Sequence, residues 1–145
     1  MNKTLNKFSN WVPWPTRKTF IDEGILSQSG VYMIACAASD SVILQGKPNI
    51  RAPLIYIGET SGRKLRDRLN EFDRSAFRGL VAHSGGKTFH KTFKATLKPS
   101  RIYVSVLPVS LEDKAQRTAY IRYVERMLIW EYVRVHPVLP ACNNK

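Results

Sequence analysis

Three short apolar segments rich in β-branched and aromatic residues constrain the fold of this chain most strongly. They read GVYMIACAA at 30–38, LIYIG at 54–58 and RIYVSVL at 101–107. Runs of this length, bounded by glycine or proline, are typical of buried strands. If the first two pair antiparallel through the intervening loop, the start of one lies beside the end of the other.

Helical patterns occupy the chain after the second and third segments. The stretch KLRDRLNEF at 64–72 places its apolar residues at i, i+4 and i+7, with arginines flanking that stripe. A short basic helix is predicted between Gly86 and Pro99. The last helix is predicted to begin at Ser110, in a pattern that resembles a capping box, and to end at about Val135.

The length and composition favour one globular domain. The chain has 145 residues, of which 43% are hydrophobic, and it shows no repeat and no low-complexity linker. We expect residues 1–29 to form an N-terminal arm packed on a domain of residues 30–145. Nothing approaches the roughly 18 apolar residues of a membrane span, and the start lacks a secretory signal. Cys36 and Cys142 form no disulfide framework, so a cytoplasmic protein is expected, of undetermined oligomeric state.

The charge of the chain indicates a polyanionic partner. Its 23 Lys and Arg against 11 Asp and Glu give a formal net charge of +12, which favours nucleic acid. No acidic residue occurs from 74 to 111, a stretch that is rich in Lys and Arg. A merely solubilising face would mix both signs. The residues expected to contact phosphates are Lys87, Lys91, Lys94 and Lys98.

The predicted hairpin would bring two tyrosines and two glycines to one sheet edge. Tyr32 follows Gly30 closely, and Tyr56 precedes Gly58. Glycines there would let a backbone or a phosphodiester approach without a Cβ in the way. A phenol near the arginines of 64–72 can be acidified and can orient or deprotonate a water. An arginine offers a planar fork of donors to a phosphate.

A carboxylate in the last helix is the candidate ligand for a divalent cation. Glu125 shares a helical face with Ile121, Leu128 and Tyr132. That face is an unusual place for a charge unless the charge is paired or bound to a metal. Such ions are commonly held by one or two carboxylates plus substrate phosphate. The alternative is a surface glutamate paired with a nearby arginine.

These features in this order resemble the GIY-YIG nuclease family over residues 29–144. The resemblance lies in GVY at 30–32, YIG at 56–58, an arginine-bearing helix, a glutamate followed by RMLI and an asparagine near the end. The family includes homing endonucleases, some restriction enzymes and the nuclease half of a repair enzyme. The resemblance implies an α/β (α+β) fold, with a small antiparallel sheet of about three main strands flanked by helices. It also implies single-metal hydrolysis of DNA phosphodiester bonds with Mg²⁺ or Mn²⁺.

The resemblance implies roles for two tyrosines, one arginine and one glutamate. Tyr32 looks like the phenol that activates or orients the water, and Tyr56 looks like the second phenol, which lines the phosphate. Counting from YIG favours Arg66 as the family arginine, whereas the local leucine and arginine pattern favours Arg68, which we prefer. Glu125 resembles the metal-binding glutamate.

The chain also departs from the family pattern. Where the family often has Tyr or His, Phe72 lacks a hydroxyl, and His83 could supply a polar group instead. Asn143 resembles the asparagine near the end of the family domain, with Asn144 as an alternative. The segment 33–55 is longer than in compact members and is predicted to form a DNA-contacting flap.

The sequence therefore predicts a stand-alone, metal-dependent DNA endonuclease. Two alternatives stay open, a non-catalytic nucleic-acid-binding module of the same fold and an RNA nuclease. No zinc finger or helix-turn-helix pattern occurs in the sequence, so specificity would come from loops or from a partner.

Overall fold

The protein is described here by a computed structural model, which covers residues 2–93 and 96–144. It is a mixed α and β fold, 46% helical, with a four-stranded antiparallel sheet flanked by helices, which confirms the predicted fold class. The elements in chain order are α1 (Asn2–Leu5), β1 (Val12–Pro13), α2 (Arg17–Phe20), α3 (Glu23–Leu26), β2 (Gly30–Cys36), β3 (Leu54–Thr60), α4 (Leu65–Arg78), α5 (Ser84–Phe93), β4 (Ile102–Pro108) and α6 (Lys114–Val135). Short 3₁₀ turns cover Trp14–Thr16 and Pro99–Arg101.

The sheet has the strand order β1-β4-β2-β3, and each neighbouring pair is antiparallel. The predicted hairpin of β2 and β3 is confirmed, with Tyr32 opposite Gly58 and Ile34 opposite Tyr56. β3 lies at one edge of the sheet. The other edge strand, β1, was not predicted, because two residues ending in a proline carry almost no strand signal.

Alternation along the strands divides the core into two layers. On one face, Val31 and Met33 pack with residues of α6 such as Leu128. On the opposite face, Tyr32 and Ile34 pack with residues of α4 and α5. The two tyrosines of the hairpin therefore belong to the α4 layer, while the predicted metal ligand lies on the helix of the other layer.

Residues of the N-terminal arm contribute to both layers. Phe8 is fully buried on the α6 side, and Trp14 is 1% exposed on the α4 side. The Trp14 ring meets Phe72 edge to face, with the centroids 5.4 Å apart. Its Nε1 donates a hydrogen bond to Asp73 of α4. The arm is thus packed against the helices and the sheet.

The start of α6 differs from the sequence prediction. The helix begins at Lys114, and Asp113 is its N-cap, accepting a hydrogen bond from the backbone N–H of Gln116. Ser110 lies outside the helix, because the intervening loop is bound by Arg117, which donates to the carbonyl of Leu111. The capping pattern therefore predicts the start of α6 about one turn too early.

The basic helix α5 also differs from its predicted bounds, since it begins at Ser84 and contains Gly86 rather than following it. A Cβ at Gly86 would lie 2.7 Å from the Cβ of Ser75 on α4. The Ser75 hydroxyl accepts hydrogen bonds from the backbone N–H groups of Ala82 and His83. The glycine is therefore needed for close packing of two helices, and it does not mark the start of one.

The predicted flap, 33–55, consists partly of strand residues and partly of the loop between β2 and β3. Within that loop, Gly46 accepts a hydrogen bond from the N–H of Trp11, and the carbonyl of Ile50 bonds to His136. The loop is thus attached to the N-terminal arm and to the end of α6, and DNA contact by it stays a prediction. In the part of the chain that the structure describes, no helix is long and apolar enough to cross a membrane.

Candidate functional site

The two hairpin tyrosines lie on the same face of the sheet. Tyr32 is opposite Gly58, and Tyr56 lies two residues before that glycine, so their rings are diagonal neighbours with centroids 5.9 Å apart. Tyr32 is completely buried, whereas Tyr56 is half-buried and lines an open cleft at the edge of the sheet. Only the second phenol therefore reaches the cleft directly.

Two glycines fix the position of the Tyr56 ring. A Cβ at Gly58 or at Gly85 would each lie 2.4 Å from a carbon of that ring. Gly58 would also meet the Tyr32 hydroxyl at 2.7 Å, and a Cβ at Gly30 would lie 2.0 Å from the carbonyl oxygen of Leu107. The expected close approach of a backbone is therefore confirmed at Gly30, whereas at Gly58 the protein's own tyrosine rings take the space that a phosphodiester was expected to use.

His83 supplies the polar partner of Tyr32. Its Nε2 lies 2.7 Å from the Tyr32 hydroxyl, and its Nδ1 accepts a hydrogen bond of 3.1 Å from the N–H of Gly86. Burial, together with the charges of Arg68 and Arg63, lowers the pKa of His83 to about 3, so the ring is neutral near pH 7. Because Nδ1 is an acceptor, the single ring proton is on Nε2 and is donated to Tyr32.

Phe72 fills the space beside that hydrogen bond. It is fully buried, and its ring meets His83 edge to face with the centroids 5.3 Å apart. It also contacts Tyr56 and Phe89 through centroid distances of 6.1 and 5.8 Å. Phe72 thus packs the aromatic cluster, and the polar contact to Tyr32 comes from His83, directly before α5, rather than from α4.

The expectation of an acidified phenol is wrong for both tyrosines. Burial, with the neighbouring Tyr56, raises the pKa of Tyr32 well above its ordinary value, against the opposing charge of Arg68. Burial also raises the pKa of Tyr56, again against Arg68. Removing each phenol from water disfavours its charged form more than one arginine favours it. Both tyrosines are therefore neutral hydrogen-bonding groups near pH 7.

Arg68 is the arginine that the structure brings to the tyrosines. Its guanidinium acts electrostatically on both phenols and is held by Glu71 through a hydrogen bond of 2.8 Å. Burial opposes its charge, but Glu71 and the phenols more than offset this, so the pKa of Arg68 is raised. Arg63 also pairs with Glu71. Arg66 instead points to Glu23 in the N-terminal arm.

A cleft of about 520 Å³ lies beside the free edge of β3, between the start of α5 and the middle of α6. It is lined by Tyr56, Ser84, Glu125, Arg126, Cys142, Asn143 and Asn144. The cleft brings the second phenol, the predicted metal ligand and the two terminal asparagines together. The predicted residues Tyr32, Arg68 and His83 lie behind Tyr56, in the layer that supports it.

Glu125 is half-buried at the cleft and has an acidic neighbour. Burial and the charge of Glu59 raise the pKa of Glu125, and Arg126 opposes the rise. The Oε2 atom of Glu59 is buried, without a hydrogen-bond partner among the described residues. Two carboxylates whose charges act on each other could hold a cation between them. Within residues 2–93 and 96–144, however, no group of three or more His, Cys, Asp or Glu residues could hold a metal ion.

The C-terminal segment closes the free edge of β3. The side chain of Asn143 accepts a hydrogen bond from the N–H of Ile57 and donates one to its carbonyl, both at 2.9 Å. The N–H of Cys142 donates to the carbonyl of Ile55. Asn144 bonds instead to Thr88 on α5. Asn143 thus acts like a residue of a neighbouring strand, and Asn144 ties the segment to α5.

Cys142 does not act as a thiolate in this cleft. Burial, with the nearby Cys36, raises the pKa of its thiol to about 12. A nucleophilic cysteine needs the opposite shift. Both cysteines are free thiols.

Part of the predicted phosphate-binding set flanks the cleft. Lys87 and Lys91 are exposed on α5. They share a helix face with Ser84, which lines the cleft, and with Thr88, which is hydrogen-bonded to Asn144. Lys98 is exposed, but it lies beyond the end of α5 and directly before a 3₁₀ turn. Lys94 lies outside the described residues.

Several neighbours of the site were not predicted. Glu71 has a weak sequence signal, since it follows Arg68 by three residues and can pair with it on one helix face. Glu59 directly follows YIG, but it is opposite Val31 in the sheet and so belongs to the α6 layer of the core. Ser84 and Arg126 have no signal in the sequence, because they reach the cleft only through the packing of α5 and α6.

Comparisons with the profiles of known families, with curated proteins and with solved structures found no match.

Proposed function

We propose that this chain is a DNA endonuclease that hydrolyses phosphodiester bonds with one divalent cation, Mg²⁺ or Mn²⁺. The observation that carries the proposal is the cleft at the edge of β3, where Tyr56 and Glu125 face the same space. Arg68 acts on that phenol from behind. A phenol, a guanidinium and a carboxylate are the groups that a phosphodiester hydrolase needs at one point.

Each group has a distinct task. Arg68 lies behind Tyr56, so its positive charge acts across that phenol on a phosphate in the cleft, which gains negative charge in the transition state. Tyr56 is the phenol that can hydrogen-bond to a water in the cleft, and its raised pKa keeps its proton in place. Tyr32 accepts a hydrogen bond from His83 Nε2–H, which leaves its own O–H free to donate a hydrogen bond toward Tyr56. Tyr32 therefore positions Tyr56 rather than removing a proton from water.

The carboxylates fit a divalent cation. Glu125 would hold the ion, with Glu59 close enough to raise its pKa and to add a second negative charge. When bound, the ion supplies positive charge that stabilises the leaving oxygen. The half-buried position of Glu125 beside a like charge is costly without such a partner.

Plasmid nicking in Mg²⁺, with a chelator as control, tests the proposal. We expect chelator-sensitive nicking that is lost in Tyr56→Phe and Arg68→Ala. Arg66→Ala is the matched control, because this arginine pairs with Glu23 away from the tyrosines. Calorimetric titration of Mn²⁺ gives a readout besides activity, and it should lose its signal in Glu125→Gln. Equal nicking by parent and Arg68→Ala would contradict the assignment.

One observation favours a binding module without turnover. Tyr32 is completely buried with a raised pKa, and Phe72 offers no hydroxyl in its place. If the protein is such a binding module, it should bind DNA in the presence of chelator. It should cleave neither DNA nor RNA with Mg²⁺, Mn²⁺ or another divalent ion. Substituting single-stranded and duplex RNA in the same assay tests the RNA nuclease alternative.

A further inference from the structure

The outward face of α6 exposes two large aromatic side chains. Tyr123 is 61% exposed and Trp130 is 58% exposed, whereas Trp11 and Trp14 are 8% and 1% exposed. The two exposed rings are seven residues apart, so they lie on the same side of the helix, about two turns from each other. Single exposed apolar residues are ordinary on a protein surface, whereas a patch of them marks an interaction site.

Arginines alternate with these rings. Arg122 and Arg126 are exposed in the turns before Trp130, and the guanidinium carbon of Arg134 lies 4.7 Å from the centroid of the Trp130 ring. The helix contains five basic and two acidic residues. Of the two acids, Glu125 is turned into the cleft, and a half-buried Glu131 pairs with Arg134 at the border of this face.

The face is continuous with the cleft. Arg126 lines the cleft beside Glu125 and also belongs to the exposed stripe of α6. Tyr123 and Trp130 lie within about one turn of it on either side. A polymer lying along the outward face would thus pass directly to Tyr56.

We infer that this face, formed by Arg122, Tyr123, Arg126, Trp130 and Arg134, binds an unpaired strand of the nucleic acid that enters the cleft. For the identity of the polymer the inference rests on the proposed function. Aromatic rings that alternate with arginines stack on exposed bases and pair with the phosphates between them. Bases in a duplex are already stacked on each other, so phosphate contacts alone would not use these rings.

The charge of the face argues against a second copy of this chain as its occupant. In a two-fold dimer the same patch meets itself, so arginines would face arginines across the interface. A single strand instead brings one negative charge with each base. The substrate class is thus a nucleic acid with an unpaired segment next to the cleavage position.

Intrinsic fluorescence in chelator tests binding without cleavage. Among the three tryptophans, all within the described residues, Trp130 alone is exposed, since Trp11 and Trp14 are buried. We expect a thymidine 12-mer to quench the emission to saturation and a 12-base-pair duplex to quench it far less. Anisotropy of a labelled 12-mer should show about tenfold weaker binding by Trp130→Ala and near-parent binding by Trp130→Phe. Phe20→Ala is the control, because Phe20 is 68% exposed on α2.

Three outcomes would overturn the inference. The first is equal affinity of Trp130→Ala and the parent for the 12-mer, and the second is equal quenching by duplex and single strand. The third is a parent that sediments as a dimer and becomes a monomer in Trp130→Ala. Because chelator is present throughout, a protein that binds the 12-mer through Trp130 but never cleaves would refute only the catalytic part of the proposed function. A protein that cleaves duplex DNA but binds the 12-mer no better than Trp130→Ala does would refute only the inference.

Discussion

The Nε2 atom of His83 lies 2.7 Å from the hydroxyl of Tyr32, inside a cluster of aromatic rings that excludes water. The backbone of Gly86 donates to the other ring nitrogen and thereby fixes the tautomer. His83 is thus a donor to the phenol and not a base that could remove its proton.

This arrangement predicts a pH-dependent stability. The pKa of His83 is about 3 in the folded protein and close to 6.5 when the chain is unfolded. Between these values the unfolded chain binds a proton that the folded protein does not. The stabilisation is therefore complete above pH 6.5 and is lost as the pH falls toward 3, at up to about 1.4 kcal/mol for each pH unit.

Urea unfolding of parent and His83→Gln at several pH values measures this effect. The glutamine side chain can still donate to Tyr32 but does not titrate, so the other groups of the protein cancel in the comparison. We expect the free energy of unfolding of the parent to fall more steeply below pH 6.5. Parallel curves for the two proteins would show that His83 is protonated equally in both states.

The packing of Gly85 against Tyr56 predicts an unusual cost for an alanine in a helix. Gly85→Ala places a Cβ 2.4 Å from the ring and should destabilise the protein by roughly 1–3 kcal/mol. It should also shift Tyr56 and slow nicking. Gly24→Ala in α3 is the control, since its nearest contact is 3.7 Å and alanine favours helix there. Similar melting temperatures for the two variants would contradict this packing.

The two terminal asparagines should behave differently. Asn143→Ala removes two hydrogen bonds to Ile57 and should cost about 1–3 kcal/mol of unfolding free energy. It should also increase self-association, because the edge of β3 becomes available for pairing. Asn144→Ala removes only an exposed contact to Thr88 and should change stability by less than about 0.5 kcal/mol. Light scattering and thermal unfolding measure both effects, and equal results for the pair would contradict the role of Asn143.

The exposed lysines of α5 predict the salt dependence of DNA binding. Replacing Lys87 and Lys91 by alanine should reduce the slope of log affinity against log salt by about one unit for each phosphate that the protein no longer neutralises. A double substitution of Lys3 and Lys18 removes the same charge from exposed positions of the N-terminal arm. Fluorescence anisotropy in chelator at several salt concentrations compares them. An unchanged slope in the α5 variant would show that its lysines are merely solvated.

The sequence was sufficient to predict the three main strands and the hairpin. The apolar runs are long, and pairing of β2 with β3 follows from their order, so Tyr32 and Tyr56 could be placed near one another. Helix boundaries were less predictable. Ser110 has the pattern of a cap, but its helix begins only after Asp113 because the intervening loop is held by side-chain contacts.

The finer features of the site depend on contacts between residues far apart in the chain. The pair of His83 and Tyr32 is separated by 51 residues, and that of Asn143 and Ile57 by 86. The direction of the phenol pKa shifts was also predicted wrongly. The sequence shows that arginines are near, but it does not show how deeply the phenols are buried. Composition indicated a polyanionic partner, but it did not distinguish the lysines of α5 from the arginines of α6.

The most direct test of the proposed metal-dependent cleavage is the rate of plasmid nicking in Mg²⁺. The rate is measured for the parent, for Glu125→Gln and for Glu112→Gln. Glu112 is exposed in the loop before α6 and serves as the matched control. We expect Glu112→Gln to nick at the parent rate and Glu125→Gln to be slower by about 100-fold or more. DNA binding by Glu125→Gln in chelator should persist or tighten, because a negative charge at the cleft is removed. Nicking by Glu125→Gln at the rate of the parent would contradict the assignment of Glu125 as the metal ligand.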